Sequence, residues 1–392
     1  MKNFFYIISR FLSIYIGRLV YVINRPKIQS INTPKSVLLI RWDRIGDAVV
    51  TLPIIRMLKV EFPEICIDVV ASEFNRFVFD KNSDINTLIV LKGVGRGYGV
   101  LDRLKALIIS RFSKLDDLEI DKKYDLCIDM TNGERTFIFK DFARYFVGPK
   151  SDDGISSMYD FYPKQSLIDS GLTYVQYYQY FFRDFFGGQF DYLAAYPPVQ
   201  RCTIPPFSSK RKIIIIYIGG SQDYRRLSIE SMQEVISELA IQYNLYVFDD
   251  PDSSRLNTIE LPSKYVTVLT GYSLQELSYI SRSCVFYIGA EGGVSHYLSS
   301  HIKSLVIFSP KYYFQHYKIW LPFDGDHYTV YSESKYEKTL ISLGSMGHMA
   351  ILIKPKKVYP IPPYVSEEMM VVPSFVFIKA IKILTSKEIN GN

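Results

Sequence analysis

The chain has 392 residues, more than one ordinary hydrophobic core holds and about what two domains of common size need. With 48% hydrophobic and 22% charged residues its composition is globular, which excludes a disordered or low-complexity protein. Lys and Arg number 46 against 40 Asp and Glu. The mild +6 excess favours anionic partners such as nucleotide phosphates or an anionic lipid surface, and no dense basic block of the nucleic-acid-binding kind is present.

Residues 1–30, "MKNFFYIISRFLSIYIGRLVYVINRPKIQS", are apolar but carry Arg10 and Arg18. No small-residue cleavage site follows, and two arginines inside a span of about 20 residues are costly in a membrane. Polar residues at helical spacing instead predict an amphipathic helix. Such a helix lies in a membrane interface or packs on the protein's own body.

From residue 36 short apolar runs alternate with helical stretches. "SVLLI" precedes a helix through "IIRMLKVEF"; "IDVVAS", "INTLIVL" and "YDLCIDM" follow, with "RLKALIISRF" as a helix between and "FARYFVGPK" as a last strand. "GLTYVQYYQYFFRDFFGG" reads as an aromatic helix stopped by two glycines, and "YPPVQRCTIPPF" as a proline-punctuated linker. A second alternation runs through "IIIIYIGG", "SMQEVISELAIQYN", "LYVFDD", "YVTVL", "SLQELSYISRS", "VFYIGAEGG" and "SLVIFSP". Continuous apolar strands separated by helices predict parallel sheets covered on both faces. The expected organisation is a domain over 36–200, a second over 210–365, and a C-terminal helix over 366–386 that crosses back to the first domain. The expected fold is α/β, two doubly wound Rossmann-like domains facing across a cleft, with ligands beyond the carboxyl ends of the strands. Cys66, Cys127 and Cys284 lie in or beside apolar runs and read as reduced core residues; neither the four cysteines nor the five histidines have metal-ligand spacing.

Three strand-end loops carry candidate chemistry. In "RWDRIGDAVVTLP", residues 41–53, Arg41, Asp43, Arg44, Gly46 and Asp47 crowd the end of the first strand. Asp47 or Thr51 caps the next helix, with Pro53 easiest in a first turn. A carboxylate here is either such a turn residue or a general base for a hydroxyl. In "YIGGSQDYRR", Gly219, Gly220 and Ser221 expose backbone N–H groups and Arg225 and Arg226 match phosphate oxygens; the alternative is a solvated turn. In "GAEGGVSHYL", Gly292, Gly293 and Val294 open a helix whose start suits an anion, and Glu291 beside it needs a ribose hydroxyl, a sugar hydroxyl or an arginine. His296 is one turn on, and a lone histidine is more often structural.

The order of these motifs resembles that of glycosyltransferase family 9, the heptosyltransferases, which have the GT-B fold. "RIGDAVVTLP" is similar to the family's "GD…TLP" signature, and "GAEGGVSHYLSS" to its "DTGxxHLAxA" donor motif. The resemblance implies that Asp47 is the general base, with Asp43 the next candidate. Arg41, Asp43, Arg44 and Gly46 are the expected acceptor contacts, the alternatives for Arg41 and Arg44 being to tune Asp47 or to pair with Asp43. It implies a donor site at Gly219, Gly220, Ser221, Arg225 or Arg226, Asp250 of "VFDDPDSS", Glu291, Gly292, Gly293, Val294 and His296. Glu replaces the family's Asp at 291 and Arg its Lys at 225, so the donor need not be ADP-heptose. The implied activity is inverting, metal-independent sugar transfer from a nucleotide sugar to a glycan or glycolipid hydroxyl, as in lipopolysaccharide or lipooligosaccharide synthesis, with no cofactor and no nucleic acid. The implied location is cytoplasmic, peripheral on the inner face of the membrane if the N-terminal helix binds it. A sugar-nucleotide epimerase and a non-catalytic nucleotide-sugar-binding scaffold are the competing readings.

Overall fold

The computed structural model describes residues 33–92, 123–151, 155–220, 225–251, 253, 255–262, 264–308, 328–332, 339–343, 349–353, 377 and 381. The chain divides into two compact units, Met1–Pro198 and Val199–Asn392.

In the first unit β1 (Ser36–Ile40), β2 (Cys66–Ser72), β3 (Thr87–Leu91), β4 (Tyr124–Asp129) and β5 (Ala143–Val147) form one sheet in the order β3-β2-β1-β4-β5. Every pairing is parallel. Val37, Leu38, Leu39 and Ile40 of β1 are fully buried, as a strand covered on both faces requires. The strand order reverses between β1 and β4. In sheets of this kind the carboxyl ends of that pair are where ligands bind.

Helix α1 (Ile45–Glu61) follows β1 and buries nearly its whole circumference, with Arg56 turned out to pair with Asp84 at 2.7 Å. Its cap is Arg44, in extended conformation and without a side-chain capping bond. Neither expected cap is used. Asp47 lies in the first turn, where the helix dipole favours a carboxylate, and Thr51 and Pro53 lie inside the helix. The aromatic segment forms α2 (Tyr174–Phe186). Thr173 and Gln176 make a reciprocal capping box at its start, and Gly187, at φ 78°, takes the left-handed turn that ends it. Tyr174, Tyr177, Tyr178, Phe181, Phe182 and Phe185 form its buried face, which packs on α1.

In the second unit β6 (Ile213–Tyr217), β7 (Asn244–Phe248), β8 (Val266–Val268), β9 (Phe286–Ala290) and β10 (Ser304–Phe308) repeat the parallel pattern, with the reversal between β6 and β9. Helices α3 (Ile229–Ala240) and α4 (Leu274–Ser281) are capped by Ser228 and Ser273, and α5 (Gly293–Ser299) follows β9. The sheet extends beyond the doubly wound pattern expected. β13 (Met349–Ile353) pairs parallel with β10, and β12 (Thr339–Leu343) and β11 (Tyr328–Ser332) add antiparallel strands outside it.

Several expectations change. The stretch 196–207 has no helix or strand, but Ile204 and Phe207 pack on the second unit's core and the Gln200 N–H donates to the Gln275 carbonyl at 3.2 Å. It is a packed lead-in to that unit, not a free linker. Of the 366–386 helix only Phe377 and Ile381 are described, and both lie in the second unit's core with Ile214 and Leu305. Cys66 is not a core residue: it is the first residue of β2 and is exposed before the strand enters the core, whereas Cys127 is buried. All four cysteines are free thiols. The segments 1–30 and 103–112 lie outside the described residues.

The capping box gives a direct check on α2. Thr173→Ala removes one of its two reciprocal bonds and should cost about 1 kcal/mol, read as a lower urea midpoint with an unchanged slope.

Candidate active site

The site of the first unit is built around Arg41, the first residue beyond β1. Its side chain is almost wholly buried, and every nitrogen is engaged. Nε donates to Thr51 Oγ1 at 2.9 Å, Nη1 to Asp43 Oδ2 at 2.8 Å, and Nη2 to the Tyr174 hydroxyl. Tyr174 in turn donates to the Met130 carbonyl just past β4, at 3.0 Å. Asn75, after β2, donates to the Arg41 carbonyl at 3.0 Å. One guanidinium thus ties together the loop after β1, helices α1 and α2 and the loop after β4. Of the roles open to Arg41, the structure shows the pairing with Asp43: the side chain is buried and each of its nitrogens already bonds within the protein. Arg44, by contrast, is exposed.

The two aspartates differ in kind. Asp43 is clamped through Oδ2, while its Oδ1 is buried without a hydrogen-bond partner. Burial pushes its carboxyl up to about 7 against the pull of Arg41, and the neighbouring Asp47 charge adds to the rise. Asp47 is half-buried in the first turn of α1, and its carboxylate makes no hydrogen bond or ion pair among the described residues. Gly46 beside it is buried within the same turn. Asp47 is therefore the carboxylate of this loop that the described residues leave without a protein partner.

In the second unit the charged groups gather at the ends of β6 and β9. Arg225 Nη1 lies 3.3 Å from Glu291 Oε2, and His296 Nε2 lies 3.8 Å from Glu291 Oε1. Glu291 has thus found the arginine that its position called for, and Arg225 and His296 are both buried. Arg226 Nε donates to the Gly220 carbonyl at 2.7 Å, with Nη2 4.0 Å from Asp250. Asp250 accepts from the Tyr217 hydroxyl at 2.7 Å and from the Gly220 N–H at 3.1 Å, so it braces the double-glycine turn. That leaves the Gly220 N–H satisfied within the protein. Gly292 and Gly293 open the seven-residue α5, and Val294 packs on the unit's core. Ser221 lies outside the described residues.

Sequence reasoning missed the supports. Tyr217 and Tyr287 each lie over the glycine two residues on: a Cβ at Gly219 would come within 2.5 Å of the Tyr217 ring, and one at Gly289 would strike the Tyr287 hydroxyl. The repeated Tyr-Ile-Gly of "YIGG" and "YIGA" is the signal, because residues two apart share a strand face. The buried Arg255 donates to the Ile218 carbonyl at 2.5 Å and to the Leu227 carbonyl, fixing the turn from a distance. Tyr174 and Tyr178 of α2 read in sequence only as a packing stripe.

Asp43 makes the first unit's stability depend on pH. Its folded value lies above the unfolded one of about 4, so the native state holds the proton more tightly. Its stabilising contribution is complete below pH 4 and is lost as pH rises towards 7. Urea unfolding of Asp43→Asn should fall less steeply with pH across that window than that of the wild type.

No family model and no curated protein matches the sequence. Solved structures do match the fold. A family 9 glycosyl transferase from Veillonella parvula superposes with TM-score 0.64 at 16% identity, covering 92% of this chain and 100% of that one. The ADP-heptose lipopolysaccharide heptosyltransferase II of E. coli gives 0.58 at 12%, covering 90% and 99%. E. coli heptosyltransferase WaaC with ADP-2-deoxy-2-fluoro heptose gives 0.53 at 15%, covering 90% and 99%. The chain has the α/β GT-B fold, two Rossmann-like units, and resembles the family 9 heptosyltransferases in it over most of its length.

Proposed function

We propose that the chain is an inverting, metal-independent glycosyltransferase. It moves a sugar, heptose or a related one, from a nucleotide-sugar donor to a hydroxyl of lipopolysaccharide, lipooligosaccharide or another cell-surface glycan. The observation that carries this reading is the division of charge between the two strand-order reversals. The first unit offers Asp47, a carboxylate without a protein partner among the described residues, and the second offers the guanidinium groups of Arg225 and Arg226. The fold supports the same reading, since the WaaC structure of similar fold holds an ADP-heptose analogue.

The acceptor binds the first unit through Asp43, Arg44 and the turn at Gly46. Asp47 takes the proton of its hydroxyl as the oxygen attacks the anomeric carbon of the donor. The bond from that carbon to the diphosphate breaks on the opposite side, inverting the centre, and the bonding electrons leave with the diphosphate. The growing negative charge is met by Arg225 and Arg226, with Gly219, Gly292 and Gly293 letting the phosphates approach the backbone. Glu291 and His296 hold Arg225 in place and face the donor's hydroxyls, and the turn that Asp250 braces lies beside the nucleoside. The reaction fits a cytoplasmic protein, with the apolar, arginine-bearing N-terminal segment as its contact to an anionic membrane surface.

Donor turnover in the presence of a cell-surface glycan preparation tests the reading. Asp47→Asn should lower kcat by about two to four orders of magnitude with donor affinity unchanged. Near-normal turnover of that variant would remove Asp47 from the mechanism. Arg225→Ala should weaken nucleoside-diphosphate binding about tenfold or more, since it deletes a charge-assisted contact.

A further inference from the structure

The switch point of the first unit holds three buried polar groups that the protein leaves unmet. Asp43 Oδ1, three residues beyond β1, has no hydrogen-bond partner. Asn132 Oδ1, three residues beyond β4, has none either. The Tyr178 hydroxyl on α2 is the third, on a side chain only 1% exposed. β1 and β4 are paired neighbours, with Ile40 opposite Asp129, so the two loops leave the sheet about 5 Å apart. Tyr178 belongs to the same place: the charges that act on its hydroxyl are those of Arg41, Asp129 and Asp43.

These groups are held, not loose. Arg41 fixes Asp43, and the Tyr174 bond to Met130 joins that clamp to the β4 loop. Asp129 anchors the loop from below, accepting from Thr131, Thr136 and Tyr159. Asn132 sits at φ 52°, a left-handed conformation that asparagine tolerates better than most residues. A buried polar group without a partner costs free energy comparable to a lost hydrogen bond, so three at one ligand-binding position call for a ligand.

The chemistry of that ligand follows from what is unmet. Asn132 Oδ1 only accepts, the Asp43 carboxyl accepts when ionised and also donates when it holds its proton, and the phenol both donates and accepts. The Arg41 cation is paired with Asp43, and each of its nitrogens already bonds within the protein. A phosphate here would meet the Asp43 carboxylate and find no buried cation free among the described residues. A hydroxyl donates to an oxygen and accepts from the phenol at once.

We propose that Asp43 Oδ1, Asn132 Oδ1 and the Tyr178 hydroxyl form a subsite for the hydroxyl groups of a neutral sugar. It rests on the glycosyltransferase reading, in which this sugar is the part of the acceptor next to Asp47. The subsite excludes an anionic group at that end of the acceptor.

The test uses the full chain with D-glucose, D-galactose and D-mannose as probes, inorganic phosphate as the anionic competitor, and saturation-transfer NMR as the readout. Sugar signals should appear with the wild type, survive millimolar phosphate, and persist with Asn132→Asp, which keeps the oxygen. They should report about tenfold weaker binding with Asn132→Gly, which keeps the backbone conformation, and with Tyr178→Phe, which keeps the ring packing. The Tyr178→Phe variant loses no protein hydrogen bond, so its folding is not at risk. Absence of any sugar signal, as when ordered water alone fills the site, would overturn the proposal. So would displacement by phosphate, or signals indifferent to both substitutions. The glycosyltransferase reading fails separately, through normal turnover of Asp47→Asn or lack of nucleotide-sugar binding, neither of which involves these three groups.

Discussion

A full positive charge is buried at the end of β1, and the first unit is arranged around meeting it. Taking a guanidinium out of water costs several kcal/mol unless its donors are satisfied and a counter-charge lies close. Arg41 meets those conditions by recruiting Thr51 from α1, Asp43 from its own loop and Tyr174 from α2. Each recruitment fixes something else. Thr51 also donates to the Asp47 carbonyl at 2.8 Å, so the first turn of α1 is held from inside. Tyr174 passes the constraint on to Met130 and so to the loop after β4. Loss of any one of these three bonds would disturb the geometry of the candidate site as well as its stability.

The second unit solves a similar problem with different parts. Its double-glycine turn has no side chains to pin it, so the pinning comes from neighbouring strands and turns. Asp250 at the end of β7 takes the Gly220 N–H, and Arg255 takes the Ile218 carbonyl. The tyrosines of β6 and β9 then cover the glycines that follow them. A turn of bare backbone is thus made rigid by side chains from outside it, at the cost of the Gly220 N–H, which Asp250 takes.

The fold was legible because its signals are local. "SVLLI", "YDLCIDM" and "IIIIYIGG" are apolar without alternation, which only a strand buried on both faces tolerates. The strand-end loops were legible for the same reason: glycines and charges stand next to the strands they terminate. What was not legible depends on contacts distant in sequence. Nothing near Arg41 announces that Tyr174 will take one of its nitrogens, whereas its pairing with Asp43, two residues on in the same loop, was legible. The cap of α1 was missed because Arg44 caps by backbone conformation alone, without the side chain that a sequence pattern records. The antiparallel strands β11 and β12 were missed because they extend a sheet whose parallel half already satisfied the expected alternation.

The pairing of Arg41 with Asp43 also bears on which aspartate can act. Two carboxylates near one another repel, and a cation beside one of them offsets part of that repulsion. Arg41 is that cation, and it is committed to Asp43, whose free oxygen faces a desolvated space. A general base needs the opposite situation: a carboxylate reachable by the hydroxyl and able to turn towards it. Asp47 has that freedom, with the start of α1 favouring its charge and no donor among the described residues competing for its oxygens. Asp43 pairs with the buried arginine and, in the proposed reaction, presents one fixed oxygen that orients the substrate. In the proposed reaction the charge crowded after β1 thus separates into three roles, with one arginine to build, one carboxylate to position, and one carboxylate to react.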